Sequence, residues 1–114
     1  MKEIKAYVRP ELLETILGRL EEAGAKDITV DRVDAVGEMA DHEKDRSHFW
    51  RKYKEKYSNI AKLEIVCQDV EAGGYMRIIQ EAGHLGESGD GRIFLGNIEE
   101  AVNSRSGVSG KAAL

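Results

Sequence analysis

Ile4, Ala6 and Val8 alternate with Lys5, Tyr7 and Arg9, and Pro10 then ends the alternation. This change of period constrains the fold more than any other feature of the chain. A two-residue repeat is the signature of a strand with one buried face. Pro10 presets φ for a helix start, and Glu11 suits the first turn. Leu13, Ile16, Leu17 and Leu20 follow at helical spacing, with Gly24 placed to stop the helix. A β-rich stretch covers residues 28–36 through Ile28, Val30, Val33 and Val36, and another covers residues 60–67. Helical spacing returns at Ala72, Tyr75, Met76, Ile79 and Ala82, although Gly73 and Gly74 weaken its first half. A last strand is expected over residues 92–95, then a short helical turn near 98–102 and a small, polar tail over 104–114.

The order is βαββαβ. Four strands with two helices on one face predict an α+β, two-layer sandwich of ferredoxin-like topology. A chain of 114 residues with 41% hydrophobic content fits one domain over 1–114, small enough that self-association would supplement its core. A net charge of −4 and a pI near 5.4 weigh against nucleic acid as partner, and 6% aromatic residues weigh against a base-stacking platform. No apolar run is long enough to span a bilayer, and the N-terminus opens into a strand pattern rather than a signal peptide. The single Cys67 cannot form an intramolecular disulfide and fits a reducing, cytoplasmic setting. At the end of the apolar run from Leu63 to Val66 it reads as a small core residue.

Residues 37–57 break the pattern. Glu38, Asp41, Glu43 and Asp45 precede Arg46, Arg51, Lys52, Lys54 and Lys56, with no sustained apolar period. Such a segment buries too little surface to order itself, so a long exposed loop is expected, and long loops in small domains usually carry function. Phe49 and Trp50 sit at its centre and read either as an anchor folding the loop back or as a partner-binding hot spot. Asp41, His42, Glu43 and His48 lack the spacing of a helical metal pair and read as solvated loop residues. No serine stands in a spacing that implies a histidine–acid arrangement, so no nucleophile and no enzymatic role is assigned.

The second informative stretch covers residues 86–94, where Gly86, Gly89 and Gly91 precede Arg92, Ile93 and Phe94. Glycines let backbone N–H groups turn toward a ligand, and a guanidinium beside them suits phosphate or carboxylate. The alternative is a glycine-rich turn joining helix to strand, and composition alone leaves both open. The loop lacks the Gly-Lys-Ser/Thr ending of a Walker A motif. His84, just ahead of it, could approach a phosphate or simply complement a helix C-terminus.

In this order and spacing the chain resembles the PII signal-transduction family over nearly its whole length. Lys2-Glu3-Ile4, Arg9-Pro10, Ile28-Thr29-Val30 and Lys62 to Val66 carry the first half of the resemblance. Gly86, the run Gly89-Asp90-Gly91-Arg92-Ile93-Phe94, Glu99 to Val102, Arg105-Ser106-Gly107 and Ala112-Ala113-Leu114 carry the second. The resemblance implies a cytoplasmic homotrimer that binds ATP or ADP between subunits and controls a target protein, such as a membrane transporter or an enzyme, through its long loop. AMP stays open as a third nucleotide, and Mg²⁺ is left open. By position, Gly89, Asp90, Gly91 and Arg92 would hold phosphates, with Thr29 and Gly37 near the nucleotide and Arg105 reaching in from a neighbour. Phe49, Trp50 and Tyr53 would face the partner.

Several positions depart from the family pattern. Arg92 stands for a lysine, which keeps the charge but makes it a planar fork. The glutamine that helps bind Mg²⁺ and 2-oxoglutarate falls at Met39, and the lysine that pairs with 2-oxoglutarate falls at Ile60. The first arginine of the C-terminal pair falls at Asn103, a threonine falls at Leu85, and a glutamate falls at Val108. The surroundings of Tyr53 do not match the family's modifiable tyrosine. A divergent member is therefore expected. The alternative is a trimeric, metal- or small-anion-responsive protein similar to CutA-type copper-tolerance proteins, without nucleotide binding.

Overall fold

A computed structural model describes residues 1–36, 58–86 and 90–114. Strand β1 (Lys2–Val8) leads through a 3₁₀ turn (Pro10–Leu12) into helix α1 (Leu13–Glu22). Strand β2 (Thr29–Ala35), strand β3 (Ser58–Cys67), helix α2 (Asp69–Ala82) and strand β4 (Ile93–Asn97) follow. The expected α+β, ferredoxin-like βαββαβ order is therefore present. The sheet order is β2-β3-β1-β4, with every neighbouring pair antiparallel.

Period-two patterning fixes which face of β1 and of β3 is buried. Ile4, Ala6 and Val8 of β1 lie opposite Ile65, Leu63 and Ala61 of β3, and all six are buried. Leu13, Ile16 and Leu20 from α1 and Ala72, Tyr75 and Ile79 from α2 complete this core. Cys67 belongs to it, as its sequence context predicts, and burial raises its thiol pKa. The phenol of Tyr75 donates to Glu71 one turn earlier at 2.8 Å, so the buried hydroxyl is satisfied.

The other sheet face carries Glu3, Lys5 and Tyr7 beside Lys62, Glu64 and Val66, with Phe94 next to Lys5 on β4. Tyr7 and Phe94 meet edge-to-face with ring centroids 6.1 Å apart. Phe94 stays 50% exposed and Val66 37%, so no described residue seals this face. Ion pairs Lys5–Glu3 and Lys62–Glu64 cross its polar positions.

Two expectations are corrected. Residues 98–101 form no helical turn; Val102 instead bridges Ser109, and the tail closes in a tight loop followed by a 3₁₀ turn over Gly110–Ala113. The physical reason is side-chain capping. The Asn103 side-chain oxygen accepts from the N–H groups of Arg105 and Ser106, each at 3.0 Å, and offers the backbone a turn in place of a helix. The second correction is Arg9, which the alternation put on the solvent face and which is only 2% exposed. Strand β1 ends at Val8, so the pleat no longer dictates where Arg9 points.

Candidate functional site

The destination of Arg9 defines the site. Its Nε donates to the Asp90 carboxylate at 3.0 Å, and Glu11 lies 4.0 Å from its other end. Asp90 also accepts from the N–H of Gly86 at 2.9 Å and of Leu85 at 3.2 Å, and the His84 Nδ1 sits 3.2 Å away. One carboxylate thus ties the end of α2, the start of the glycine loop and the start of the first helical segment together. Burial pushes the Asp90 pKa up, but the bonds from Arg9, Gly86 and Leu85 and the charge of Arg9 outweigh it and hold the pKa below the ordinary carboxylate value. The glycine loop is an anion cradle in a sense its composition could not specify, because the anion at its base is the protein's own.

Gly91 has a separate reason to be glycine. A Cβ there would lie 1.6 Å from the Tyr7 carbonyl oxygen. That close approach seats the strand entrance, where Tyr7 N–H donates to the Arg92 carbonyl at 2.8 Å. Gly86 has φ of +77°, which suits a residue without Cβ. Arg92 follows directly and precedes β4 at one edge of the sheet.

Thr29 stands at the opposite edge, where β2 begins. It pairs with Glu64 and borders a cavity of about 560 Å³. Here β3 continues as Ile65, Val66 and Cys67 without a β2 partner, so this strand edge faces the cavity. Asp27, with φ of +49°, and Gln68, Glu71 and Leu114 complete much of the wall. Three inter-strand spacings separate Thr29 from the Arg92 edge, roughly 14 Å across one sheet. Arg105 lies exposed in the turn built by Asn103, Gly107 and Val108. Within one copy, then, Asp90, Gly91 and Arg92 come together, while Thr29 does not join them.

Gly37, Gly89, Met39, Phe49, Trp50 and Tyr53, and the acidic and histidine cluster at 41–48, lie outside the described residues. Among the described residues no group of three potential metal ligands is present, and no helix is long and apolar enough to cross a membrane. Ile60 is buried at 4% exposure opposite Val33, so the family's lysine position serves packing here. Sequence reasoning missed Arg9 as the partner of Asp90. The two are 81 positions apart, and the only local signal was a cation placed just after the strand and just before Pro10.

Comparison with known proteins places this geometry. The family model for nitrogen regulatory protein P-II matches residues 1–108. The chain is 36% identical over 114 residues to nitrogen regulatory protein P-II 2 of Methanothermobacter thermautotrophicus, covering all of this chain and 97% of that protein. It is 34% identical over 116 residues to a nitrogen regulatory protein P-II of Mesorhizobium japonicum and 33% to one of Azospirillum brasilense, with both chains covered in full each time. With its βαββαβ sheet and its Gly89-Asp90-Gly91 run, the chain belongs to the P-II family of nitrogen regulatory proteins, signal-transduction regulators rather than enzymes.

Proposed function

We propose that this P-II protein works in the cytoplasm as a homotrimer that binds ATP or ADP in clefts between copies and controls a partner protein through residues 37–57. The observation that carries the reading is the separation of Thr29 and Arg92 on opposite edges of one sheet. Two copies that bring unlike edges together would let one nucleotide reach both without lying across the width of a sheet. The uncovered sheet face, with Phe94 and Val66 exposed, supports such an assembly. In this reading the base enters the cavity beside Thr29 and the free β3 edge, where backbone groups can both donate and accept. Backbone N–H groups of the Gly89–Arg92 stretch and the guanidinium of Arg92 take the phosphates, with Arg105 joining from a neighbouring copy. Asp90 serves the phosphates indirectly, by holding the loop in shape. Gly37 lies near the nucleotide, as the family pattern implies, and Phe49, Trp50 and Tyr53 face the partner.

Calorimetric titration with ATP, ADP and AMP tests the reading. Replacing Arg92 by Ala should weaken nucleotide binding by roughly 1.5–3 kcal/mol, as for a lost charge-assisted hydrogen bond. Unchanged affinity would put the phosphates elsewhere. Trp50 is the chain's one tryptophan, so its emission should change with the same midpoint as the heat signal. A flat Trp50 signal during saturation would detach the loop from the cleft.

A further inference from the structure

Residues 98–114 add nothing to the hydrophobic core: among the described residues, no side chain beyond Ile93 belongs to it. Hydrogen bonds hold this stretch instead. The Gly110 N–H donates to the Ala101 carbonyl at 2.9 Å and lies 3.1 Å from the Glu100 carboxylate, and the Asn103 N–H donates to the Val108 carbonyl at 2.8 Å. Past Gly110, the bond from the Leu114 N–H to the Lys111 carbonyl at 3.2 Å closes the last turn. That turn sets Ala113 and Leu114 against the cavity beside Thr29, with Leu114 still 38% exposed. We infer that Leu114 is a ligand-contact residue that caps this cavity, its side chain lying against the face of a bound purine base. The proposal rests on the nucleotide reading and adds to it a contact residue that the sequence did not mark as part of the site.

The chemistry of the cavity wall supplies the argument. The unpaired edge of β3 offers N–H and C=O groups, and Thr29, Gln68 and Glu71 add polar side chains. Such groups suit the hydrogen-bonding rim of a heterocycle, whose flat faces need apolar cover. Ile65, Val66, Tyr75 and Leu114 are the large apolar side chains of the wall. Ile65 and Tyr75 are buried in the core, and Val66 lies on the open sheet face with Lys62 and Glu64. Leu114 remains. With no anchor in the core, it can close on a ring at little cost in packing. Cys67 borders the same cavity from β3 and is 4% exposed. A cap over the cavity therefore also stands between that thiol and solvent, and thiol access reports the cap without any nucleotide.

The test compares the intact protein with Leu114→Ala, which removes the capping side chain, and Leu114→Met, which keeps its apolar bulk. ADP is titrated calorimetrically, and Cys67, the chain's one cysteine, is labelled with a small aromatic disulfide while urea midpoints are measured alongside. Leu114→Ala should bind ADP about fivefold more weakly, as for the lost apolar area of a partly covered leucine, and Leu114→Met should stay within about twofold of the wild type. Without nucleotide, Cys67 should label faster in Leu114→Ala than in the wild type at an unchanged urea midpoint. Saturating ADP should slow the wild type more than the variant. Equal ADP affinity in the wild type and Leu114→Ala would overturn the proposal while leaving nucleotide binding intact, and so would equal labelling rates. Faster labelling that tracks a lowered urea midpoint would mark lost stability and overturn the cap as well. Failure of ADP to bind any of the three proteins, with faster labelling in Leu114→Ala at an unchanged midpoint, would retire the nucleotide reading and keep Leu114 as the cap of the cavity. No ADP binding together with equal labelling would overturn both.

Discussion

Asp90 and Arg9 show how one residue's role depends on a partner far away in sequence. Arg9 is nearly fully buried, and a buried cation without its counter-ion is strongly unfavourable. Replacing Asp90 by Ala should cost about 2 kcal/mol of stability, tempered because Glu11 remains near Arg9 and Asp90 is partly exposed. Chemical denaturation of the variant would measure it, and a loss within a few tenths of a kcal/mol would mean the pair is idle. The sign of the pH effect follows from the lowered pKa of Asp90. Its contribution is complete above the ordinary carboxylate pKa of about 4 and is lost as pH falls below that. The Asp90→Ala variant should therefore show a smaller loss of stability on acidification than the wild type.

At the level of elements, the entrance to β4 and the packing of α2 each turn on one contact. Gly91→Ala would drive a Cβ into the Tyr7 carbonyl, a backbone atom that cannot swing away as a side chain could. About 3 kcal/mol of destabilisation is expected, at the top of the overpacking range. Urea unfolding would check it, and a tolerated alanine would mean the strand entrance can shift freely. Tyr75 makes the matching case in α2. Burial, then its bond to Glu71, pushes the phenol pKa up to about 12. The unfolded phenol ionises near 10, so the native state should lose stability as pH rises from about 10 toward 12. The Tyr75→Phe variant should lose that dependence. The glycine pair Gly73 and Gly74 did not prevent helix α2, because Ala72, Tyr75 and Ile79 bury one face and tertiary packing outweighs propensity.

For the whole molecule, the uncovered sheet face and the placement of Thr29 and Arg92 at opposite edges make assembly the central question. Phe94→Glu places a charge on that face beside Tyr7, where the cross-strand neighbour is Lys5. If copies meet there, the variant should sediment as a smaller species than the wild type and lose nucleotide affinity with it. A variant that keeps the wild-type mass would show that this face does not mediate assembly. The small-molecule range should also be narrow. With Ile60 packed in the sheet and Met39 in the chain where an amide is expected, 2-oxoglutarate should bind weakly or not at all with Mg²⁺ and ATP present. Micromolar affinity measured calorimetrically would contradict this.

The amino-acid sequence by itself determined the order of the strands and long helices, the buried faces of β1 and of α1, and the identity of the glycine loop as a special backbone. These are local properties: period two in Ile4, Ala6 and Val8, period 3.6 in Leu13, Ile16 and Leu20, and glycines spaced through 86–91. Motif order also carried the family, since residues near one another in the chain report their spacing directly. Tertiary structure alone decided that Asp90 faces Arg9, that Gly91 yields to Tyr7, and that Asn103 builds the Arg105 turn in place of a helix near 98–102. It alone put Thr29 and Arg92 on opposite edges, because strand order is set by long-range pairing and no local pattern records it. A charged side chain's fate depends on which distant group desolvates or pairs with it, and periodicity carries no information about that distance.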